Sequence, residues 1–180
     1  MTAPRLPGDP NPAEEVRRII RVDHAGEYGA VRIYAGQLAV LGESAAGAVV
    51  RKMAEQEHRH LERFERLVVE RRVRPTALTP LWHMAGFALG AASALLGARA
   101  AMACTVAVEE VIDEHYQGQA ARLDESEADL RHTIEEFRRD EIEHRDLGLA
   151  QGAREAPAYE LLTATVKAGS RLAIWLSTRI

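Results

Sequence analysis

E-Q-E-H-R-H-L at 55–61 and D-E-I-E-H at 140–144 decide the fold of this chain. Each stretch holds a Glu-x-x-His pair, Glu57 with His60 and Glu141 with His144, and residues three apart share one face of an α-helix. Those faces are apolar. Glu57 and His60 lie on the stripe of Val50, Met53, Leu61 and Phe64, with Val68 beyond, while Glu141 and His144 continue the face of Leu130, Ile134, Phe137 and Gly148. The overlapping pair Glu55 and His58 falls instead on the side of Arg51, Arg59 and Glu62, and Asp140 and Glu143 leave the apolar face. A carboxylate on a buried stripe is expensive unless it is paired or metal-bound.

The same doubling extends upstream of each pair. E-x6-Y-x-G-Q occurs as Glu27, Tyr34, Gly36 and Gln37, and again as Glu109, Tyr116, Gly118 and Gln119, so the two halves resemble each other at a lag of 82 to 84 residues. Glu109 sits between Val106 and Ile112, whereas Glu110 has Asp113 and Glu114 as helical neighbours and suits a solvated surface. The order Glu, Glu-x-x-His, Glu, Glu-x-x-His is the ligand set of a dinuclear carboxylate site in a ferritin-like four-helix bundle. The predicted metal ligands are therefore Glu27, Glu57, His60, Glu109, Glu141 and His144. Four facing acids without cations would repel and protonate, and the sequence places no basic residue on these inner faces. Oxygen-rich ligation with only two imidazoles suits iron or manganese better than copper.

Composition agrees with that reading. The chain has 180 residues, 27 acids against 23 Lys plus Arg, and a formal net charge of −4, which argues against nucleic acid as a partner. Aromatics are only 5%, so base-stacking platforms are not expected. The single cysteine, Cys104, excludes a disulfide framework, a Cys-rich zinc finger and an iron–sulfur cluster within one chain, and reads as a small core residue.

Pattern and punctuation predict an all-α chain. Asn11 as N-cap with Pro12 at the first helical position opens a helix that runs to Leu41. Further helices are expected at 48–72, from Arg99 to about Leu123, from Ser126 to Gly152 and over Ala158–Thr178. The long stretch between the second and third bundle helices, bracketed at its start by Pro75 and Pro80, predicts one long crossover. Residues 1–11 are expected as a loose tail before a single domain at 12–180. They carry neither a signal nor a transit pattern, so a protein on the cytoplasmic side of a bacterial cell is expected. Leu81–Ala98 is apolar and borders on transmembrane length, but a spanning helix would pull Glu109 away from its partners. Burial against the bundle or contact with the membrane interface is expected instead. The last helix adds Leu172, Ile174, Trp175, Leu176 and Ile180 beside Lys167, Arg171 and Arg179, a pattern that fits an interfacial surface or a homo-oligomer contact. Around the ligands, Tyr34 and Tyr116 are candidates for supporting hydrogen bonds, and Asp23 and Asp140 for orienting an imidazole.

R-V-D-H-A-G-E-Y-G-A at 21–30, I-Y-A-G-Q at 33–37, E-Q-E-H-R-H-L at 55–61, R-P-T at 74–76 and P-L-W at 80–82 carry a more specific likeness. With F-A-L-G at 87–90, A-C-T-V-A-V-E at 103–109, H-Y at 115–116, D-E-I-E-H at 140–144 and A-P-A-Y at 156–159, the chain resembles the demethoxyubiquinone hydroxylases from Arg17 to Ile180. The resemblance places that family's iron ligands on the same six residues. It implies a di-iron monooxygenase of ubiquinone biosynthesis that hydroxylates the ring of a polyprenyl demethoxyquinol with O2. It further implies a peripheral protein on the cytoplasmic face of the bacterial inner membrane, with a biosynthetic partner protein as a further expectation. NADH, the quinol itself or a partner would supply the electrons, and the resemblance leans to NADH. His115 and Tyr116 are then candidates for gating electron or proton delivery. The competing readings are a ferritin-like iron-handling bundle, which has no use for the apolar stretch at 81–98, and a rubrerythrin-like peroxide reductase, which would want a Cys-x-x-Cys module that this sequence lacks.

Overall fold

The computed structural model describes residues 11–180, so of the tail expected at 1–11 all but Asn11 lies outside the described residues, and Asn11 caps the first helix. Six α-helices follow in order among them: α1 (Pro12–Leu41), α2 (Ala45–Glu70), α3 (Thr79–Leu95), α4 (Ala98–Ala120), α5 (Ala128–Ala150) and α6 (Tyr159–Ser177). Asn11 caps α1, its side chain accepting from the Ala13 N–H at 3.1 Å. The second helix begins three residues earlier than its periodicity suggests, because Ser44 Oγ accepts from Gly47 N at 3.0 Å and so satisfies an otherwise orphaned donor. At the start of the fifth, Asp124 caps a short 3-10 turn over Glu125–Glu127, and the α-helix proper opens only at Ala128.

α1 pairs with α2 and α4 with α5, each as a hairpin, and backbone approach is close within the hairpins but sparse between them. The gap between hairpins is filled by side chains. At one end Ile20, Phe64, Leu130 and Ile134 close it, and at the other Tyr34, Met53, Met102 and Val106. The crossover from α2 to α4 contains α3, which packs against α1, and α6 packs against α4. This is the ferritin-like four-helix arrangement with a long crossover and two added helices. Every residue of α4 from Ala100 to Glu109 is buried, since this helix has neighbours on all sides.

The docking of α3 on α1 depends on glycine. A Cβ at Gly36 would run into the Phe87 carbonyl, and one at Gly90 into that of Ile33. Only hydrogen side chains allow the two backbones this close. α1 is consequently buried on two faces, one toward the bundle and one toward α3, although its strongest sequence stripe marks only the first. At its far end α3 is stopped by Gly97 at φ +111°, where an L side chain would be strained. Among the described residues, no helix is long and apolar enough to cross a membrane.

Candidate metal centre

The four bundle helices deliver the six predicted residues to one point in the gap. Ligand atoms of Glu27, Glu57, His60 and Glu141 lie within 4.8 Å of one another, and so do those of Glu57, Glu109, Glu141 and His144. Glu57 and Glu141 belong to both groups. All six residues are buried, none more than 3% exposed. Glu55 and His58, by contrast, are on the surface.

Each imidazole presents Nδ1 inward and has Nε2 held from outside. His60 Nε2 donates to Asp140 Oδ2 at 2.9 Å, and His144 Nε2 to Gln56 Oε1 at 3.2 Å. That arrangement turns Nδ1 of each ring toward the carboxylates. Inside, His144 Nδ1 is 3.0 Å from Glu57 Oε1 and 3.3 Å from Glu141 Oε2, and His60 Nδ1 is 3.3 Å from Glu141 Oε1. Yet Glu27 Oε2, both oxygens of Glu57, Glu141 Oε2 and Nδ1 of both histidines are buried with no hydrogen-bond partner. Each orphaned atom costs about 1–3 kcal/mol if nothing satisfies it. Among the described residues no Lys or Arg is buried.

The electrostatics state the same deficit of positive charge. Burial, with the neighbouring Glu141 charge, pushes Glu57 up to about 8. Burial and the Glu141 and Glu57 charges also hold Glu109 well above the usual carboxylate range. Burial opposes a proton on the histidines, but the adjacent carboxylates outweigh it, Glu141 and Glu27 pushing His60 up to about 12 and Glu141 and Glu57 pushing His144 up to about 11. Burial likewise opposes charge on Glu141, yet the two imidazoles beside it hold it down to about 2. With nothing else available, protons on imidazole and carboxyl groups neutralise the cluster. Divalent cations would replace them, and an oxygen-rich donor set with two nitrogens fits iron or manganese.

Around these six residues the repeat becomes a pseudo-twofold exchange of hydrogen bonds. Tyr34 Oη donates to Glu109 Oε1 at 2.7 Å, and Tyr116 Oη donates to Glu27 Oε1. Each tyrosine thus reaches the single glutamate of the other half, not its own. Gln37 Nε2 donates to the Ala101 carbonyl at 3.1 Å and contacts Thr105 Oγ1 at 3.3 Å, while Gln119 Nε2 donates to Asp23 Oδ1 at 2.7 Å. Asp140 orients a cluster imidazole, but Asp23 does not. It sits with Gln119 and with His115, whose Nε2 is 3.5 Å away. His115 is half-buried at the outer edge of the cluster. Cys104 is buried between α4 and α6, and burial pushes its thiol up to about 12. Sequence reasoning left Gln56 without a role, although it stands 84 residues before Asp140, the same lag that relates the two Glu-x-x-His pairs. The two glutamines were visible in the repeat but their partners were not.

A second feature adjoins the cluster. An apolar cavity of about 410 Å³ lies among α1, α3, α4 and α6, with Gly29, Ile33, Trp82, Leu89 and Leu172 in its walls. Val22, Gly26, Ala30, Ile112 and Ile174 line both this cavity and the small space bounded by Glu27, Glu57, Glu109 and Glu141. Trp82 Nε1 donates to Ser177 Oγ at 3.0 Å and ties α3 to the end of α6 at the cavity wall.

Fold and cluster together define a ferritin-like bundle whose core holds buried carboxylate-and-histidine groups that could bind metal. More narrowly, the chain belongs to the ubiquinone biosynthesis protein COQ7 family, which it matches over residues 14–177. It is 60% identical over 177 residues to the 3-demethoxyubiquinol 3-hydroxylase of Rhodospirillum rubrum, covering 98% of this chain and 84% of that one. The NADPH-dependent 3-demethoxyubiquinone 3-hydroxylase of human mitochondria is 56% identical over 169 residues, covering 92% and 78%. The mitochondrial 5-demethoxyubiquinone hydroxylase of Saccharomyces cerevisiae is 42% identical over 180 residues, covering 91% and 77%.

Proposed function

We propose that this chain is a 3-demethoxyubiquinol 3-hydroxylase that uses O2 and a pair of iron ions held by Glu27, Glu57, His60, Glu109, Glu141 and His144. The relatives' names support the reaction, since they are hydroxylases of the demethoxyubiquinone ring. The observation that carries the reading is the shared wall between the apolar cavity and the carboxylate cluster. An iron-storage bundle has no use for an apolar chamber that shares a wall with its metal ligands. A prenylated ring does, because its tail needs an unhydrated path and its head must reach the metal.

Two iron ions would supply reductive activation of dioxygen. In the net reaction a ring C–H bond becomes C–OH, one oxygen atom enters the ring, and the other leaves as water with two protons and two electrons. The chain's own groups do the rest. The cavity walls bind the isoprenoid tail and keep water from the cluster. Tyr34 and Tyr116 hold the two single glutamates in place. His115, with Gln119 and Asp23 behind it, offers a polar path from the surface to the Glu27 side of the cluster. The electrons come from a nicotinamide donor. NADH is the donor expected from the sequence, whereas the mitochondrial relatives are named NADPH-dependent.

The same reading places the protein against the cytoplasmic face of the bacterial inner membrane, where a prenylated substrate resides. Leu81, Met84, Leu95 and Leu96 on and just beyond α3, with Leu172 and Trp175 on α6, are exposed beside the cavity-forming helices. Arg179 stacks over Trp175 at 4.2 Å, which sets a cation beside the apolar surface, as an interface requires. The test is genetic. In a bacterium lacking its quinone-ring hydroxylase, wild-type chain should clear accumulated demethoxyubiquinone, and Glu57→Ala or Glu141→Ala should not. Complementation by both variants would overturn the proposal.

A further inference from the structure

The pseudo-twofold makes the two metal positions comparable, and its departures make them different. Each position has one single glutamate, one imidazole and a share of Glu57 and Glu141. The outer partner of His60 is the carboxylate of Asp140 at 2.9 Å, whereas His144 in the equivalent place has the neutral amide oxygen of Gln56 at 3.2 Å. A carboxylate accepting from an imidazole N–H is a charge-assisted bond that raises the donor strength of the opposite nitrogen, and an amide does so less. The second departure lies elsewhere in the fold. Gln119 meets Asp23, but Gln37, 82 residues earlier, meets Thr105. Asp23 is 1% exposed, its Oδ2 has no hydrogen-bond partner, and it stands one helical turn before Glu27. Thr105, one turn before Glu109, offers only a hydroxyl. Both extra carboxylates therefore belong to the same position, the one bounded by Glu27 and His60.

We infer that the two metal positions are unequal. The Glu27–His60 position binds a divalent cation first and more tightly, and the Glu109–His144 position fills second. Asp140 acts as a positioning residue through His60, and Asp23, with Gln119 and His115 beside it, places a second carboxyl group behind Glu27. The inference rests on the dinuclear reading of the site but not on the identity of the substrate.

Metal-free full-length protein titrated anaerobically with Mn²⁺, followed by calorimetry and electron paramagnetic resonance, tests it. Wild type should take up two ions in steps separated by at least about tenfold in Kd, with an uncoupled Mn²⁺ signal after the first equivalent and a coupled one after the second. His144→Ala should keep the tight step and His60→Ala should lose it. Asp140→Asn, at a half-exposed position where the isosteric amide leaves packing intact, should weaken the first step by about 10–100-fold and spare the second. Gln56→Glu should tighten the second. Two equal steps with a coupled signal from the first addition, or Asp140→Asn weakening both steps alike, would overturn the inference. So would a tight step that survives in His60→Ala and is lost in His144→Ala. Binding of no Mn²⁺ at all would overturn the dinuclear reading along with it. Two unequal steps in a protein that fails to clear demethoxyubiquinone would uphold the inference and reject the proposed reaction.

Discussion

Tyr34, on α1, donates its hydroxyl to Glu109 on α4 at 2.7 Å, so an aromatic ring from one half of the repeat braces the carboxylate of the other. Tyr116 returns the contact to Glu27. The two hairpins approach sparsely through their backbones, and these crossed bonds couple them through the buried carboxylates instead. Docking of the hairpins and formation of the site are thereby one event.

Removing either hydroxyl should be felt in stability. Tyr34 and Tyr116 are 1% and 2% exposed, and each truncation leaves a buried carboxylate oxygen without its donor. Tyr34→Phe and Tyr116→Phe are each expected to destabilise the metal-free protein by about 1–3 kcal/mol in urea unfolding. A change within a few tenths of a kcal/mol would show that the bonds do not couple the hairpins.

Metal content should follow the sharing of ligands. Purified anaerobically with ferrous iron, wild type should carry about two iron atoms per chain. Glu57 and Glu141 appear in both groups, so Glu57→Gln or Glu141→Gln should lose most of both ions, whereas Glu109→Gln should keep roughly one. Equal loss in all three, measured by metal analysis, would contradict the shared placement.

Acidity of the medium should act on the metal-free form with a definite sign. Folding raises His60 from 6.5 to about 12, His144 from 6.5 to about 11 and Glu57 from 4.5 to about 8. The native state therefore holds protons that the unfolded chain releases, so stability is full below the unfolded values and declines as pH rises toward the folded ones. Glu141, held down to about 2, acts with the opposite sign only below its ordinary 4.5. Between about pH 6 and about pH 9 the Tm of metal-free protein should fall steadily, and two equivalents of a divalent cation should flatten the slope. A Tm that rises over this range would count against the proton-neutralised cluster.

Glycines of two kinds should respond in opposite ways. A Cβ at Gly169, in the cavity wall, meets nothing within 4 Å, while one at Gly90 strikes the Ile33 carbonyl. Gly169→Leu should hold or raise Tm, since a mid-helix glycine costs about 1 kcal/mol relative to alanine, yet it should fill the cavity and impair clearance of demethoxyubiquinone. Gly90→Ala should instead lower stability by about 1–3 kcal/mol by levering α3 off α1.

Contact with lipid is checked on the exposed ridge. Met84 and Leu95 are 73% and 75% exposed, and burying each in a bilayer is worth about 1.5–3 kcal/mol at most. Met84→Asn with Leu95→Asn should reduce partitioning onto anionic vesicles at least about tenfold in a co-sedimentation assay, without changing metal content. Unchanged partitioning would place the membrane contact elsewhere.

Much of the site was legible along the chain because its signals are one-dimensional. The choice of Glu57 over Glu55, and of Glu141 over Glu143, followed from which of them shares a helix face with Met53 or Phe137, and burial in the structure divides them the same way. The lag between halves singled out Glu27 and Glu109 for the same reason. The close fit of Gly90 against the Ile33 carbonyl was not legible, because a glycine in an apolar run looks the same whether its missing side chain makes room for a backbone or for a ligand.

From the sequence alone came an all-α bundle with a long crossover and a six-residue set on two pairs of apolar faces, since helical period and repeat are properties of order along the chain. Only the tertiary structure decided which half each supporting group serves. A lag relates Tyr34 to Tyr116 and Gln56 to Asp140, but it says nothing of which helix stands opposite. That depends on how the two hairpins approach, and their approach crosses the tyrosines, gives His60 a carboxylate where His144 has an amide, and sets an apolar chamber against the cluster with a shared wall.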